Sequence, residues 1–406
     1  MNATVASEQR PQTLGLVLPG GGARAAYQVG VLRALADFLP PKTANPFPII
    51  TGTSAGAVNA VYLGIKAHRF RVAVGNLERV WRNFQVEQVF HADTLSMLRS
   101  GLHWTLAVLS GGWLLPPPRS LLDNTPLRQL LEENFDFDEI PRSITAGHLR
   151  ALAISASGYV NARSVSFFDS APGNQTWTNL RRAGKSTRLT LDHLMASIAV
   201  PFLFPPVPME GEFYGDGSMR QASPFSPAIR LGAERLLVIG TRFESRVASV
   251  ARPTAPTFGQ IFGYMLDALF SDGLYSDLER LTQINRLVEQ GGHLKANGHE
   301  LKKIGLLVLL PSCDLSQIAR KHVASLPRTL RSLLRTMGAM NPAGSQLISY
   351  LMFQSGFTRE LMALGYEDAL RRKEELLKFV GGEEVAETGA TATMKMLSEE
   401  QRAEAQ

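Results

Sequence analysis

Ser54 has the sequence setting of a nucleophile. It lies between Gly52 and Gly56, after an apolar run over residues 47–50 and before a run of small residues over 57–61. This pattern predicts a strand, a sharp turn and a helix, with the serine hydroxyl exposed at the apex and a helix N-terminus beneath it. A side chain in place of either glycine would crowd the turn. On this segment alone, an ordinary strand-to-helix turn rich in small residues is the alternative.

A turn of three glycines, Gly20, Gly21 and Gly22, follows the apolar run 14–18 and precedes a helical pattern over 29–39. Consecutive glycines leave their backbone N–H groups uncovered, and the helix behind them adds the positive end of its dipole. Such a turn can hold a phosphate or the oxyanion of an acyl-transfer intermediate.

Two nucleotide-binding motifs are alternative interpretations of this glycine turn. A P-loop needs Gly-Lys-Ser or Gly-Lys-Thr at the end of the turn, and these glycines are followed by Ala23, Arg24 and Ala25 instead. A dinucleotide fingerprint fits better, because Gly20, Gly22 and Ala25 match its Gly-x-Gly-x-x-Gly/Ala form. That fold needs an acidic residue at the end of the next strand, where this chain has Thr53 and Ser54. The nucleophile turn at this position favours the oxyanion interpretation.

Asp216, between Gly215 and Gly217, is the candidate base. A carboxylate on a tight turn can accept a proton directly from a serine hydroxyl, and partial burial would raise its pKa toward that task. A simple Asp-Gly turn is the alternative. A triad with histidine would need a histidine late in the chain. The candidates, none of which lies in a recognisable catalytic turn and which we expect to be structural or solvated, are His193, His293, His299 and His322.

The elements that must position these residues alternate between strand and helix. Apolar runs rich in Val, Ile and Leu predict further buried strands over residues 149–155, 164–168, 235–241 and 304–310. Helical patterns fall over 126–134 and 189–198. This alternation predicts an α/β fold with a mostly parallel sheet that is covered on both faces.

The chain past residue 252 is predicted to be helical. Apolar stripes over 262–269 and 330–337 should pack inward, and contact with a membrane surface is the alternative for the second stripe, which arginines flank. The polar tail 381–406 is predicted to be disordered.

Residues 100–118 form an uncharged, mostly apolar run that contains glycines and three consecutive prolines. These residues break a membrane-spanning helix. We therefore expect an apolar flap or interfacial segment, or a buried helix with a loop.

The bulk composition suits a globular protein with a sizeable core. The net charge of +6 is scattered along the 406 residues, so most charges should be solvated, and we expect no nucleic-acid partner. The single cysteine, Cys313, excludes an intrachain disulfide and indicates a reducing compartment. Residues 1–13 lack the apolar core and cleavage pattern of a secretory signal. We expect a cytoplasmic protein with peripheral contact at the inner membrane.

Three blocks in order carry a family resemblance. They are the segments 20–24 (Gly-Gly-Gly-Ala-Arg), 52–56 (Gly-Thr-Ser-Ala-Gly) and 216–218 (Asp-Gly-Ser). Over residues 12–242, the chain resembles patatin-like phospholipases of the bacterial type. Ala25 and Ser218 depart from the family pattern, but both are small, so the turns should survive.

The resemblance implies a three-layer α/β/α patatin-like fold and a Ser-Asp dyad without histidine. Ser54 would attack an ester carbonyl, and Asp216 would take its proton and later activate water. Arg24 would steady the glycine loop or meet an anionic headgroup, and local pairing at a helix start is its alternative. The oxyanion hole is expected from the backbone N–H groups of Gly20, Gly21, Gly22 and Ala55. The glycines expected to support the turns are Gly52, Gly56 and Gly217.

The implied function is hydrolysis of fatty acyl esters of phospholipids or lysophospholipids, with no metal and no cofactor. A soluble thioesterase or acylglycerol lipase with the same dyad is one alternative, and a non-catalytic lipid-binding module is another. We expect a catalytic domain over 12–242 and a helical region over 253–380 that contains the late strand 304–310.

Overall fold

The computed structural model describes residues 12–91, 119–243, 255–291, 295–296, 299–341 and 344–383, together with positions 102, 106, 109–111 and 113. The predicted apolar flap 100–118 lies largely outside the described residues. His293 and residues 384–406 of the predicted tail lie outside them as well.

One sheet dominates the part of the chain that the structure describes, and it contains ten strands. The first six are β1 (Leu14–Leu18), β2 (Ile49–Thr53), β3 (Ala151–Gly158), β4 (Ser164–Ser170), β5 (Trp177–Thr178) and β6 (Arg182–Ser186). The others are β7 (Val207–Met209), β8 (Glu212–Asp216), β9 (Arg235–Ile239) and β12 (Gly305–Leu309). The strands β10 (Lys295–Ala296) and β11 (His299–Glu300) form a separate antiparallel pair.

The strand order is β12-β9-β1-β2-β3-β4-β6-β5, with β8 paired to β3 and β7 paired to β8. The run from β12 through β3 is parallel throughout. Antiparallel pairing appears where β4 and β8 join β3. The prediction of a mostly parallel sheet is therefore confirmed.

Helices occupy the segments between and after these strands. Those before β8 are α1 (Ala26–Phe38), α2 (Ala55–Ile65), α3 (Phe70–Arg82), α4 (Thr125–Asn134), α5 (Glu139–Thr145) and α6 (Leu191–Ser197). Those after it are α7 (Ser226–Arg230), α8 (Phe258–Glu289), α9 (Leu315–Lys321), α10 (Arg328–Thr336), α11 (Ser345–Leu351), α12 (Ser355–Arg371) and α13 (Lys373–Gly381). None of the described helices is long and apolar enough to cross a membrane.

Two cores, one on each face of the sheet, give the molecule its three layers. Along β1, Leu16 and Leu18 belong to the larger core, whereas Val17 belongs to the smaller one. This alternation follows from the two-residue period of a strand. Helices α1, α2 and α3 contribute to the larger core, and α7 with the middle of α8 contributes to the smaller one. The predicted α/β/α layering is confirmed.

The C-terminal region is helical, as predicted, but it shares the main sheet. Strand β12 pairs in parallel with β9, with Leu309 opposite Ile239. Gly365 of α12 lies so close to α1 that a Cβ there would be 2.3 Å from the carbonyl oxygen of Tyr27. The division into a domain over 12–242 and a region over 253–380 stays a prediction.

The two apolar stripes of this region differ in how far they are buried. Leu330 and Leu334 on α10 are buried, so the second stripe packs inward as expected. On α8, Phe262 and Leu266 are buried, but Met265 is 52% exposed and lies on a different face. The inclusion of Met265 in the inward stripe was therefore wrong, because consecutive residues on a helix point about 100° apart.

Candidate active site

Ser54 stands on a strained turn between β2 and α2. Its φ of 52° and ψ of −132° fall where a non-glycine residue is rarely found. Two hydrogen bonds from outside the turn stabilise it. The backbone N–H of Ser54 donates to Oγ of Ser197 at 2.9 Å, and that hydroxyl donates to the carbonyl of Ser155 at 2.7 Å. Since Ser197 is fully buried, it holds the turn rigidly.

The glycines around this turn allow close backbone contact. A Cβ on Gly56 would lie 2.1 Å from the carbonyl oxygen of Leu18, the last residue of β1. A Cβ on Gly52 would lie 2.5 Å from Cα of Ala57. The first turn of α2 therefore packs directly on the end of β1, which puts Ser54 beside the glycine loop that follows that strand.

The way in which β2 and β8 pair with β3 brings Asp216 close to Ser54. Thr53, at the end of β2, pairs with Ser155, and Asp216, at the end of β8, pairs with the next residue, Ala156. Strand β8 runs antiparallel to β3, so β2 and β8 meet end to end along the same strand. This arrangement brings Asp216 next to the turn that carries Ser54.

The Asp216 carboxyl is fully buried, which raises its pKa to about 6. Interaction with the Ser54 hydroxyl and hydrogen bonding from Ser218 oppose this rise. Oδ1 accepts the backbone N–H of Ser218 at 2.8 Å. Oδ2 has no hydrogen bond of normal geometry to any described residue, so the Ser54 hydroxyl is near the carboxylate but not ideally placed to donate to it. Such long contacts are common at catalytic pairs without substrate.

The glycine loop is fixed by residues from distant parts of the chain. Gly22 has a φ of +52°, and a Cβ there would lie 2.4 Å from the carbonyl oxygen of Tyr350. Oγ1 of Thr241 donates to the carbonyl of Gly20 at 2.8 Å. The carbonyl of Gly21 accepts the N–H of Arg24 at 3.0 Å. These contacts engage the carbonyls of Gly20 and Gly21 and hold the loop in place.

One narrow apolar cavity joins the loop and the serine. Gly22, Ser54 and Ala55 all line it. The volume of the cavity is about 70 Å³, and its remaining wall is apolar apart from Tyr62 and Asn134. Other residues in that wall include Leu77, Trp81, Phe84, Leu131, Phe135, Ile198, Phe204 and Phe353. Ser54 is only 2% exposed, so its hydroxyl faces this internal space and not the open apex that the sequence pattern predicts.

Arg24 is 2% exposed and bound by the C-terminal helices. Its guanidinium donates to Oγ of Ser349 at 2.8 Å and to the Tyr350 hydroxyl at 2.9 Å, and it also contacts Gln346. It pairs with Asp267 at 3.3 Å. The partners of Arg24 are far away in the sequence, so the alternative of pairing with a neighbour at the start of the helix is wrong. The guanidinium is also too deeply buried to contact a lipid headgroup. The contacts match the remaining expectation, that Arg24 steadies the loop.

Two of the candidate histidines, His193 and His322, interact with residues other than Ser54 and Asp216. Nδ1 of His193 interacts with the Thr190 backbone N–H at 3.1 Å and with its hydroxyl at 2.8 Å, and burial lowers the pKa of His193. Nε2 of His322 lies 2.8 Å from Glu360. For His299 the structure describes the backbone alone. The structural role expected for His193 and His322 agrees with these contacts.

Sequence reasoning missed three side chains that hold the site together. Ser197 lies in a segment of small residues before Pro201, which was a usable signal. Gln221 accepts a hydrogen bond from Oγ1 of Thr53 at 2.6 Å, and Thr241 holds the glycine loop. Nothing in the local sequence marks these last two residues, because their partners are more than 150 residues away in the chain.

Comparison with protein families gives one match, to the model described as Patatin-like phospholipase, over residues 16–229. This span is slightly more than half of the chain. Comparison with curated proteins gives no match.

Solved structures give distant likenesses. Human GIVD cytosolic phospholipase A2 is 11% identical with a TM-score of 0.44, and the match covers 91% of this chain and 60% of that one. VipD from Legionella pneumophila is 12% identical with a TM-score of 0.34, covering 90% of this chain and 67% of that one. The chain thus spans about three fifths of the length of the human protein. At these identities and TM-scores, neither likeness supports a conclusion about activity.

Proposed function

The chain belongs to the patatin-like phospholipase family, and we propose that it is a serine lipid acyl hydrolase with a Ser54-Asp216 dyad. The observation that carries the proposal is the end-to-end meeting of β2 and β8 on β3, which sets a buried carboxylate beside a strained serine. The serine faces an apolar cavity that the glycine loop also lines.

In the first half of the reaction, Oγ of Ser54 attacks the ester carbonyl and Asp216 takes the hydroxyl proton. The tetrahedral intermediate collapses to an acyl-enzyme, and Asp216 returns the proton to the leaving alkoxide. In the second half, Asp216 takes a proton from water, the resulting hydroxide attacks the acyl-enzyme, and Ser54 regains its proton as the fatty acid leaves. The pKa of about 6 suits both directions of transfer near neutral pH.

The oxyanion is held by backbone N–H groups of the glycine turn and of Ala55. Ala55 is the first residue of α2, so its N–H belongs to the free positive end of that helix. Gly22 supplies the loop side of the same cavity. Losing one such donor typically costs about 3 kcal/mol in the transition state.

The apolar cavity is the proposed site of the fatty acyl chain. Its wall of leucine, phenylalanine and tryptophan side chains suits a hydrocarbon and disfavours a polar acyl group. The cavity is narrow, so we expect side chains to move apart when the chain enters. This wall supports a lipid ester as the substrate, and phospholipid or lysophospholipid is the substrate class that we propose.

The direct test measures fatty acid release from mixed phospholipid vesicles by the wild type, Ser54→Ala and Asp216→Asn. We expect both variants to lose nearly all activity while circular dichroism shows an unchanged fold. The matched control is Asp368→Asn, which alters another buried carboxylate, one that accepts hydrogen bonds from Tyr27 and from the backbone of Ser312. It should keep the activity.

Three other outcomes would each contradict a part of this proposal. Hydrolysis of short soluble esters without hydrolysis of vesicles would replace it with a soluble thioesterase or acylglycerol lipase. Failure of a fluorophosphonate probe to label Ser54 in a folded wild-type protein would favour a non-catalytic lipid-binding module. Full activity of Asp216→Asn would remove Asp216 from the dyad.

A further inference from the structure

A second cavity shares the turn after Asp216 as part of its wall. Its volume of about 770 Å³ is larger than that of the apolar cavity, and it opens to solvent. Ser218, whose N–H binds the Asp216 carboxylate, lines it. So does Gln221, which accepts the hydrogen bond from Thr53, the neighbour of Ser54. The cavity is therefore coupled to both members of the proposed dyad.

Four arginines line this cavity, which we call the arginine pocket: Arg181, Arg182, Arg220 and Arg280. Among the described residues, the guanidinium groups of the first three form no ion pair and no hydrogen bond. Arg280 donates to Oγ of Ser223 at 2.8 Å and lies 3.8 Å from Asp277. The one acidic residue in the described lining, Asp272, lies 3.8 Å from Arg242. Burial raises the pKa of Asp277 and the positive charges of Arg280 and Arg182 oppose that rise, so Asp277 offsets part of the charge of these two arginines. The charges of Arg181 and Arg220 have no such partner among the described residues.

Like charges are crowded beside the pocket as well. Burial, and then the nearby positive charge of Arg182, lower the pKa of Arg230. Repulsion between guanidinium groups is unfavourable unless an anion lies between or near them. Arginine is also the side chain best shaped to bind phosphate, because its planar fork donates two parallel hydrogen bonds.

Helix α8 links the pocket to an exposed apolar surface. Phe258, Ile261 and Met265 are 66%, 47% and 52% exposed, and their spacing puts them on one face of the helix. Ala268 and Asp272 continue the same face one and two turns later and line the arginine pocket. An apolar surface followed by a basic one is typical of a protein face that rests on an anionic membrane.

We propose that the arginine pocket binds the phosphate group of an anionic phospholipid, with the exposed face of α8 resting on the same membrane. Binding itself does not need catalysis, but its purpose, to hold anionic lipid beside the dyad, rests on the proposed acyl hydrolase function. The lipid source is favoured over a free phosphate ester because the apolar face of α8 is continuous with the pocket.

The test measures vesicle binding in the Ser54→Ala background, so that no lipid is consumed. Vesicles of phosphatidylcholine alone are compared with an equal mixture of phosphatidylcholine and phosphatidylglycerol. The test variant carries Arg182→Gln and Arg220→Gln together. Each arginine near an anionic surface strengthens binding about fivefold, so we expect roughly a 25-fold loss of affinity for the mixed vesicles. Affinity for phosphatidylcholine should not change.

The matched control is Arg320→Gln, an exposed arginine on α9 that does not line the pocket. It loses one such charge where the double variant loses two, so an effect of overall charge alone would appear in it as about a fivefold loss. We expect its affinity for mixed vesicles to stay within about twofold of the parent, as for a single remote surface charge.

A second arm separates the two sources of phosphate. Glycerol 1-phosphate is titrated against the parent and the double variant, with binding measured by calorimetry. Tight binding that needs the two arginines, without a preference for mixed vesicles, would keep the phosphate pocket but assign it to a soluble ester. Equal loss of vesicle binding in Arg320→Gln, or no loss in the double variant in either arm, would overturn the proposal. Arginine-dependent binding by a wild type that hydrolyses nothing would defeat the proposed activity alone.

Discussion

At the scale of a single residue, burial and the proposed role of Asp216 as a base favour opposite protonation states of its carboxyl group. Full burial disfavours its charged form, and a general base must be charged to accept a proton. The backbone N–H of Ser218 and the hydroxyl of Ser54 offset only part of the burial effect, which leaves the pKa at about 6. In the proposed mechanism, the same shift in the pKa of Asp216 therefore affects both the activity and the stability of the protein.

The activity should depend on the ionisation of Asp216. We expect kcat/KM to fall tenfold per pH unit below about pH 6 and to level off above it, because the free enzyme needs the carboxylate form. A short soluble ester is the suitable substrate, since its charge does not change in this range as a vesicle surface would. A profile that stays flat down to about pH 4 would show that Asp216 is not the base, since that is near the ordinary pKa of the group.

The stability should depend on the same group in the opposite sense. Its ordinary pKa is 3.8 and its folded pKa is about 6, so the folded state holds the proton more tightly. Wild-type stability therefore falls as the pH rises between these values, by roughly 3 kcal/mol in total. Asp216→Asn removes this loss, so its free energy of unfolding should exceed that of the wild type at about pH 8 and match it at about pH 4.

Denaturant unfolding at both pH values checks this expectation. The control Asp368→Asn should show no such gain, because the Arg371 guanidinium at 2.6 Å stabilises that carboxylate together with the Tyr27 hydroxyl and the Ser312 N–H. A destabilised Asp216→Asn at about pH 8 would mean that the buried carboxylate is better solvated than the structure indicates.

At the scale of elements, the site depends on how α2 meets β1. The helix begins at Ala55, directly after the strained serine, and its first turn touches the carbonyl end of β1 through Gly56. This contact sets the distance between Ser54 and the glycine loop. It also explains why a glycine is needed two residues after the serine, where other small residues would be too large.

Gly56→Ala should separate these two elements. Its Cβ would lie 2.1 Å from the Leu18 carbonyl oxygen, so α2 must shift, and we expect a loss of about 3 kcal/mol in unfolding free energy. The rate of ester hydrolysis should also fall, because the shift of α2 moves Ser54 away from the glycine loop. Thermal unfolding and ester hydrolysis measure the two effects.

Gly75→Ala is the matched control for this change. Gly75 lies inside α3, and the nearest atom to its new Cβ is 4.0 Å away on the flexible side chain of Arg33. Alanine there should stabilise the protein by about 0.5–1 kcal/mol, since it restricts the unfolded chain. Similar losses in both variants would show that Gly56 matters only as a helix residue.

At the scale of the whole molecule, the C-terminal region completes the main sheet. Strand β12 covers β9, which would otherwise be an exposed edge next to β1. Tyr350 and Ser349 of α11 bind Arg24 beside the glycine loop. The family match ends at residue 229, so these supports come from a part of the chain that the match does not cover.

A chain ended after residue 243 should therefore fail to fold. It would lose β12, which pairs with β9, and the helices α11 and α12, whose Leu347 and Leu361 belong to the larger core. A sheet edge and apolar core surface would then be exposed to water, which is strongly unfavourable. We expect insoluble protein, whereas a chain ended after residue 383 should unfold at nearly the same temperature as the full chain. Circular dichroism on both purified products checks this. A soluble, cooperatively folded product ending at 243 would establish the predicted 12–242 domain as independent.

The motifs and the layering of this protein follow from local features of its sequence. Glycines around Ser54, the run Gly20 to Gly22 and the Asp216 turn are local requirements of backbone geometry, and apolar runs of strand length report burial directly. These signals involve neighbours in the chain, so the α/β/α fold and the family could be predicted from them. The serine, the aspartate and the loop were also all predicted, although which residues they contact was not.

The way in which these motifs meet depends on contacts between distant parts of the chain. The end-to-end arrangement of β2 and β8 is a matter of register on β3, and register is set by pairing between residues far apart in sequence. The partners of Arg24, the support from Ser197 and the exposure of Met265 have the same origin. Local pattern fixes which residues a chain can bury, whereas packing between distant segments fixes which of them touch.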